Sequence, residues 1–180
     1  IEPHLLGRRI RAAHVHEARL RWPVAPDLHQ LLRGQRVTRI TRRAKYLLIH
    51  LTRGTLILHL GMSGSLRVLP QRSPRKTHDH LDIWLDSGQA LRFNDPRRFG
   101  SCLYTSDDPL LHPLLAQLAP EPLEGQFDGA YLQRVTRKRR VAIKTLLLNG
   151  RLITGVGNIY ASEALFRAGI RPRRAARSLK

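Results

Sequence analysis

Short apolar segments separated by turn-forming residues fill the chain from residue 37 to residue 104. They lie at residues 46–51, 55–60, 65–69, 81–85, 90–93 and 101–104. Runs of this length, bounded by glycine, serine, proline and aspartate, are typical of β-strands. Arg53-Gly54 and Ser87-Gly88 have the composition of hairpin turns. Because the strands follow one another closely, the pattern favours an antiparallel sandwich over a parallel sheet with crossover helices.

Helical patterns lie on both sides of this region. Residues 26–32 predict a short helix that Asp27 caps and Gly34 ends. After a Leu-rich connector over residues 110–118 and the boundary Ala119-Pro120-Glu121-Pro122, residues 128–135, 141–148 and 159–168 predict three helices, two of them ended by Gly150 and Gly169. We therefore predict an α+β protein, with a β-sandwich domain over residues 1–118 and a helical domain over residues 119–180.

The charge of the chain points to a polyanionic partner. The 180 residues include 32 Lys and Arg against 13 Asp and Glu, a formal net charge of +19, and are 42% hydrophobic, enough for a packed core. No apolar run approaches the ~20 residues of a membrane span, and no signal-peptide core begins the chain. Because the basic residues are spread among apolar segments and form no amphipathic basic helix, nucleic acid is favoured over a membrane surface. We expect a cytoplasmic protein without a membrane partner.

Metal and nucleotide cofactors are disfavoured. The single Cys102 excludes an internal disulfide and a multi-cysteine zinc site within the chain. His14-x-His16 and His78-Asp79-His80 lack a third and fourth ligand. No Gly-x-x-x-x-Gly-Lys-Ser/Thr run occurs, so we expect no cofactor in this chain.

A candidate anion site precedes the last predicted helix. In Thr154-Gly155-Val156-Gly157-Asn158, two glycines permit a tight turn, and Asn158 is expected to be the N-cap of a helix whose free N–H groups point outward. The same pattern occurs in many loops that bind nothing. In so basic a chain, a nucleic-acid phosphate is the anion we expect there.

Two of the five lysines stand beside apolar residues. Lys45 precedes Tyr46-Leu47-Leu48, and Lys144 follows Ile143. An ammonium group in such surroundings can lose solvation and exchange a proton more readily than a guanidinium group. The alternative is a lysine that covers the edge of a core with its aliphatic stem.

Two turn motifs combine apolar and basic side chains. His59-Leu60-Gly61-Met62-Ser63-Gly64 places Met62 in a glycine-rich turn, and Asn94-Asp95-Pro96-Arg97-Arg98-Phe99-Gly100 places Arg97 and Phe99 on a turn after a strand. Met62 could fill a core gap, Phe99 could cover a sheet and Arg97 could be solvated. On exposed turns, however, apolar wedges unstack a base step and arginine hydrogen-bonds the base left behind.

Taken in order, these motifs closely resemble the formamidopyrimidine-DNA glycosylase family, bacterial enzymes that excise oxidised purines from DNA. The resemblance covers nearly the whole chain. Its strongest carriers are Arg43-Ala44-Lys45-Tyr46-Leu47-Leu48, residues 59–67, His78-Asp79-His80, Asp95-Pro96-Arg97-Arg98-Phe99-Gly100 and residues 155–163.

The resemblance implies a β-sandwich lobe and a helix-two-turns-helix lobe that hold damaged double-stranded DNA between them, in a protein that acts as a monomer. By position, Lys45 corresponds to the catalytic lysine that helps proton transfer during β-elimination. Met62, Arg97 and Phe99 correspond to the side chains that fill the hole left by the flipped nucleotide, with Arg97 facing the orphaned base. The DNA contacts, chiefly to phosphates, correspond to His59, His78, Arg139, Lys144 and Asn158.

The chain departs from the family pattern at both ends. The family's nucleophile is an N-terminal proline followed by glutamate, whereas this chain begins Ile1-Glu2-Pro3, which resembles sequence downstream of that start. The family also continues to a four-cysteine zinc finger with one zinc, which lies outside this chain. We expect a fragment of a bifunctional glycosylase and lyase that alone binds DNA weakly and cuts it poorly or not at all.

Two alternatives stay open. A non-enzymatic nucleic-acid-binding module would explain the charge and the glycine turn, but not Lys45 or the set of Met62, Arg97 and Phe99. A relative that excises oxidised pyrimidines would share the same residues.

Overall fold

The protein, described here by a computed structural model over residues 1–179, divides into two units between His112 and Pro113. Among the described residues, all eight β-strands belong to the first unit, whereas the second unit consists of helices and turns. The predicted α+β class is confirmed. Each unit has a hydrophobic core of its own.

Two antiparallel four-stranded sheets form the first unit. Their strand orders are β1-β6-β7-β5 and β2-β3-β4-β8. The strand bounds are β1 Ile10–Val15, β2 Val37–Arg43, β3 Tyr46–Leu51, β4 Thr55–His59, β5 Ser65–Pro70, β6 Asp79–Leu85, β7 Gln89–Asn94 and β8 Ser101–Thr105. The strands predicted from residue 46 onward are confirmed. Strand β1, which the pattern did not predict, contains two alanines and forms through its pairing with β6.

The sandwich core lies between the inner faces of the sheets. Two short helices, α1 at Glu2–Leu5 and α2 at Leu28–Leu32, complete it, with Leu28 and Leu32 wholly buried. The predicted α2 is confirmed, although its N-cap residue Asp27 makes no side-chain capping hydrogen bond. Strand residues of both sheets bury the rest of the core, among them Ile49, Leu56, Leu58, Leu81, Leu85, Leu91, Phe93 and Cys102.

A buried ion network crosses the first sheet. The Arg92 side chain, 2% exposed, donates from Nε to Asp82 Oδ1 at 2.6 Å and lies 3.4 Å from Asp79 Oδ2. Arg67 Nη2 donates to Asp79 Oδ1 at 2.6 Å. Burial alone would raise the pKa of Asp79, but hydrogen bonds from the Lys76 amide and Asn94, with the two arginine charges, hold that pKa below its ordinary value. The network anchors the loop that leads into β6.

The second unit is built on three helices, α3 at Gly129–Thr136, α4 at Ile143–Leu147 and α5 at Asn158–Arg167. The side chain of Asp128 caps α3 by accepting from the Tyr131 amide. Helix α4 is shorter than predicted, because Ala142 forms a β-bridge with Ala175 instead of a helical turn. Short 3-10 helices lie at Pro109–Leu111 and Ala176–Ser178. Over residues 1–179, no helix has both the length and the apolarity that crossing a bilayer requires.

The lowered pKa of Asp79 predicts an acid-labile contribution to stability. Because the folded pKa lies below the unfolded value, this contribution is complete above the ordinary pKa of 3.8 and is lost as the pH falls through the folded pKa. Asp79→Asn should lower the free energy of unfolding by about 1–3 kcal/mol at neutral pH, and the difference should shrink below pH 3.8. Urea unfolding across pH measures it. Asp86→Asn, at an exposed turn, is the control, and a wild-type pH profile for Asp79→Asn would contradict the prediction.

Candidate nucleic-acid interface

Five of the residues predicted from the sequence line one open pocket of the first unit, with a volume of about 790 Å³. They come from the turn between β2 and β3, from the end of β4 with the loop that follows it, and from the loop between β7 and β8, which the sandwich brings together at one end of its strands. The five are Lys45, His59, Met62, Arg97 and Phe99. Arg19, Arg21 and Arg98 add further cations to the lining. The pocket is therefore a concave, positively charged surface with apolar side chains at its rim.

Lys45 lies at the turn between β2 and β3. Its side chain is exposed, because the apolar residues that follow it enter strand β3 and do not enclose the ammonium group. Ala44 beside it has a φ of 54°. The turn therefore presents Lys45 to solvent at the pocket, as a charge free to approach a ligand.

His59 is a neutral hydrogen-bond donor. Burial, followed by the charges of Arg21 and Lys45, lowers the pKa of His59 below its ordinary value of 6.5. The Gly61 amide donates to His59 Nδ1 at 3.0 Å. In the neutral ring, Nδ1 is thus the acceptor and Nε2 carries the proton. The neutral His59 ring can therefore donate a hydrogen bond from Nε2–H to an anionic oxygen without carrying a positive charge.

Met62 and Phe99 are exposed side chains. Met62 is 72% exposed and Phe99 is 44% exposed, so neither fills the sandwich core. The guanidinium carbon of Arg97 lies 4.7 Å from the centroid of the Phe99 ring, within the range of a cation–π contact. Together they present two apolar groups and one cation at the pocket rim, the chemistry that an unstacking wedge requires.

Left-handed backbone conformations mark the candidate loops. Among residues 1–179, the non-glycine residues with positive φ are Ala44, His78 and Arg98, at 54°, 69° and 57°. Each one is a predicted site residue or lies next to one. Such conformations cost free energy and concentrate at functional sites.

His78 lies outside the lining of the pocket. Its side chain is exposed, and its ring centroid is 6.2 Å from that of the buried His80. The carbonyl oxygen of His78 accepts from the Asp95 amide at 3.0 Å. The loop of His78 is thereby tied to the loop that carries Arg97 and Phe99.

Sequence reasoning missed two acidic residues that shape the pocket. Glu17 accepts hydrogen bonds from the backbone and side chain of Arg19 and lies 3.4 Å from Arg98. The hydrogen bonds of Arg19 lower the pKa of Glu17 to about 2. Asp95 is wholly buried and accepts from Ser63 and Gly100. In the sequence, Asp95 begins the Asp95–Gly100 motif and Glu17 stands two residues before Arg19, but neither position alone indicates the role of the side chain.

In the second unit, the predicted contact residues lie on or near helices. Lys144 Nζ, on α4, donates to Ser162 Oγ, on α5, at 3.0 Å. The exposed Arg139 donates from Nε to the Val135 carbonyl at 3.0 Å. It lines a shallow groove with three other basic residues, Arg134, Arg137 and Lys138.

The geometry of the glycine turn differs from the expectation. Gly157 is the N-cap, and Asn158 is the exposed first residue of α5. The interpretation of Asn158 as N-cap is therefore wrong. Gly155 has a φ of 76°, whereas Gly157 has an extended φ of −114°. The helix begins one residue early, because the extended backbone of Gly157 already accepts the first helical hydrogen bond, from Ala161. Asn158 then presents its amide to solvent at the N-terminal end of α5.

No group of three or more His, Cys, Asp or Glu side chains within residues 1–179 is arranged to hold a metal ion. Cys102 is buried in β8, where burial raises the pKa of its thiol to about 12. The residues that the structure describes therefore do not fit a zinc site.

Family models cover most of the chain. Residues 1–102 match the formamidopyrimidine-DNA glycosylase N-terminal domain, and residues 118–180 match the formamidopyrimidine-DNA glycosylase H2TH domain. The formamidopyrimidine-DNA glycosylase of Nitrosococcus oceani is 58% identical over 176 residues, and that of Stutzerimonas stutzeri is 57% identical over 179. These matches cover 98% and 99% of this chain but 65% and 66% of the relatives. The chain thus spans about two-thirds of their length.

Solved structures agree. The complex of Lactococcus lactis Fpg with an abasic site containing DNA has a TM-score of 0.91 and 32% identity, over 99% of this chain and 66% of that one. The complex of the same protein with a FAPY-dG containing DNA has a TM-score of 0.92 and 32% identity, over 99% and 68%. Both domain models describe DNA glycosylases. The chain belongs to the formamidopyrimidine-DNA glycosylase family.

The Gly61 turn predicts a substitution that disturbs the pocket. Gly61 has a φ of 63°, and a Cβ there would lie 2.5 Å from the Phe99 carbonyl carbon. Gly34 has a φ of 80° with open space around it. Alanine at either position pays about 1–2 kcal/mol for the left-handed backbone, but only Gly61→Ala must also displace the Phe99 backbone. Urea unfolding should show a larger decrease in the free energy of unfolding for Gly61→Ala than for Gly34→Ala. Equal losses would contradict the packing described.

Proposed function

We propose that the whole protein excises oxidised purines, such as 8-oxoguanine and formamidopyrimidines, from duplex DNA and cleaves the abasic site by β- and δ-elimination. The observation that carries this proposal is the pocket in which exposed Met62, Phe99 and Arg97 stand beside Lys45 and His59. A binding module that holds only phosphates needs the cations of this pocket but not its exposed apolar side chains. The relatives' names support oxidised purine over oxidised pyrimidine as the substrate.

In this proposal, the pocket rim opens the duplex. Met62 and Phe99 enter the stack where the damaged nucleotide leaves it, and their apolar contacts replace lost base stacking. Arg97, held over the Phe99 ring, donates hydrogen bonds to the orphaned base. The exposed Lys45 transfers protons during β-elimination at the sugar. The covalent step belongs to the N-terminal proline that the family resemblance assigns to the whole protein.

The remaining residues position the DNA backbone. The Nε2–H of His59 donates to a phosphate next to the flipped nucleotide. The exposed His78 contacts the DNA backbone beside the loop that carries Arg97 and Phe99. In the second unit, Asn158 and the first amides of α5 receive a phosphate at the helix N-terminus. Arg139 and Lys144 add positive charge to the phosphate-binding surface of the second unit. Lys144 is oriented by Ser162, 3.0 Å away.

The partner in this proposal is damaged double-stranded DNA, bound by a monomer in the bacterial cytoplasm. We expect this chain itself to bind no cofactor. Electrostatic attraction brings the basic surface to any duplex, whereas the pocket selects the damaged site.

Binding of labelled duplexes tests the proposal against a non-enzymatic module. This chain should bind a duplex with an abasic-site analogue at least about tenfold more tightly than the intact duplex, a difference of about 1.4 kcal/mol. Fluorescence anisotropy at several salt concentrations measures both affinities. Equal affinity for the two duplexes at every salt concentration would contradict the proposal and favour a charge-driven binder.

Two substitutions should separate wedge from phosphate contact. Phe99→Ala should lower affinity for the abasic duplex by roughly five- to a hundredfold, because base–aromatic stacking contributes about 1–3 kcal/mol, and should leave the intact duplex unaffected. Arg139→Ala should weaken binding to both duplexes equally, and it should reduce the slope of log affinity against log salt concentration by about one. The control is Arg53→Ala. Arg53 is exposed in the hairpin between β3 and β4, at the opposite end of β4 from His59. A uniform loss for Phe99→Ala would contradict the assignment of the wedge.

A further inference from the structure

We propose that Asp95 is a positioning residue that holds the Met62 loop, residues 60–64, and the Phe99 loop, residues 95–100, together as one rigid wedge. The proposal rests on the proposed function for its DNA readout. Its structural content, one carboxylate joining two loops, can be tested without DNA.

The Asp95 carboxylate divides its two oxygens between the loops. Oδ1 accepts from Ser63 Oγ at 3.0 Å, and Oδ2 accepts from the Gly100 amide at 2.7 Å. Asp95 is wholly buried, so water does not compete for either bond. Hydrogen bonds to a charged acceptor in such a place are shorter and stronger than neutral ones.

The backbone of Asp95 extends the connection to a third segment. Its amide donates to the His78 carbonyl at 3.0 Å, and its carbonyl accepts from His80 Nε2 at 2.8 Å. One residue therefore joins both wedge loops to the segment that carries His78.

Close backbone packing makes the two loops move together. A Cβ on Gly61 would lie 2.5 Å from the Phe99 carbonyl carbon, and a Cβ on Gly100 would lie 2.6 Å from the His59 carbonyl oxygen. At Gly61, the three atoms nearest to such a Cβ all belong to the backbone of Phe99 and Gly100. The Asp95 hydrogen bonds act across this contact and prevent the loops from sliding apart.

Exposed side chains depend on their backbone for position. With 72% of Met62 and 44% of Phe99 exposed, a large part of each side chain has no protein contact, although the Arg97 guanidinium lies over the Phe99 ring. Their spacing in the free protein is set by the loops, and the loops are joined by Asp95. Loss of Asp95 should therefore affect insertion into DNA more than attraction to DNA.

Asparagine should replace Asp95 with little loss. Its Oδ1 can accept from the Gly100 amide while its Nδ2 donates to Ser63 Oγ, because a hydroxyl oxygen accepts as well as donates. Alanine removes both bonds. Ser63→Ala removes only the bond to the Met62 loop and leaves the Phe99 loop attached.

Amide hydrogen exchange of the free chain is the first test. Asp95→Ala should speed exchange at least about tenfold in peptides that contain residues 60–64 and 95–101, because breaking these bonds removes over 1.4 kcal/mol of local protection. Ser63→Ala should speed exchange only in the peptide that contains residues 60–64, and Asp95→Asn should exchange like the wild type. The control is Asp107→Ala, which removes an exposed carboxylate. Unchanged exchange in both Asp95→Ala and Ser63→Ala would overturn the proposal.

Base unstacking is the second test. A duplex with an abasic-site analogue and 2-aminopurine opposite it should brighten when the wild-type chain saturates it. Asp95→Ala and Ser63→Ala should lose at least half of this increase, whereas their affinity for intact duplex stays within twofold of wild type and Asp95→Asn restores the signal. If Asp95→Ala fails to fold, Ser63→Ala decides. Equal loss of intact-duplex affinity and signal would indicate a merely structural role and overturn the proposal. If the wild type gives no increase while the exchange result holds, the proposed function fails and the joined loops stand.

Discussion

Three buried aspartates of the first unit, Asp79, Asp82 and Asp95, influence how this chain uses its charge. With 13 acids against 32 Lys and Arg, every acid that stays at the surface would neutralise part of the basic surface. Asp79, Asp82 and Asp95 are instead buried, where they accept from Arg92, Arg67, Ser63 and backbone amides. These three acids thus make their contacts inside the first unit and not at its exposed surface, whereas Glu17 pairs with Arg19 and lies 3.4 Å from Arg98 at the pocket.

The pairing of β4 with its two neighbouring strands explains how one end of the sandwich becomes a site. Hairpin geometry brings Tyr46 opposite His59, so that Lys45 and the Met62 loop leave the sheet side by side. Strand β8 pairs its Ser101 with His59 from the other side, which sets the Phe99 loop against them. Antiparallel pairing thereby gathers three loops that are distant in sequence.

Much of this could be predicted from the sequence, because the decisive signals were local. Hairpin punctuation at Gly54 and Gly88 and short apolar runs define strands wherever each segment carries its own pattern. Strand β1 has no such pattern and forms through pairing with β6. The N-cap of α5 was misplaced by one residue because glycine and asparagine are both favourable caps, and only the extended backbone at Gly157 decides between them. Exposure of Met62 and Phe99 likewise depends on loop packing that no local pattern reports.

Asp95 was beyond sequence reasoning for a more general reason, since its partners Ser63 and Gly100 meet only in the folded chain. Its value follows from the energetics of base flipping. Unstacking and unpairing cost a few kcal/mol, and the contacts of the inserted side chains must offset this cost. Each rotamer-rich side chain ordered on binding costs about 0.5–1.5 kcal/mol. If the loops of the wedge also had to be ordered on binding, much of the favourable contact free energy would be lost. Two hydrogen bonds to a buried carboxylate, each contributing about 1.5–3 kcal/mol, are enough to order the loops before DNA arrives. The ordering cost is then met during folding, and the full contact energy of the wedge remains available to open the duplex.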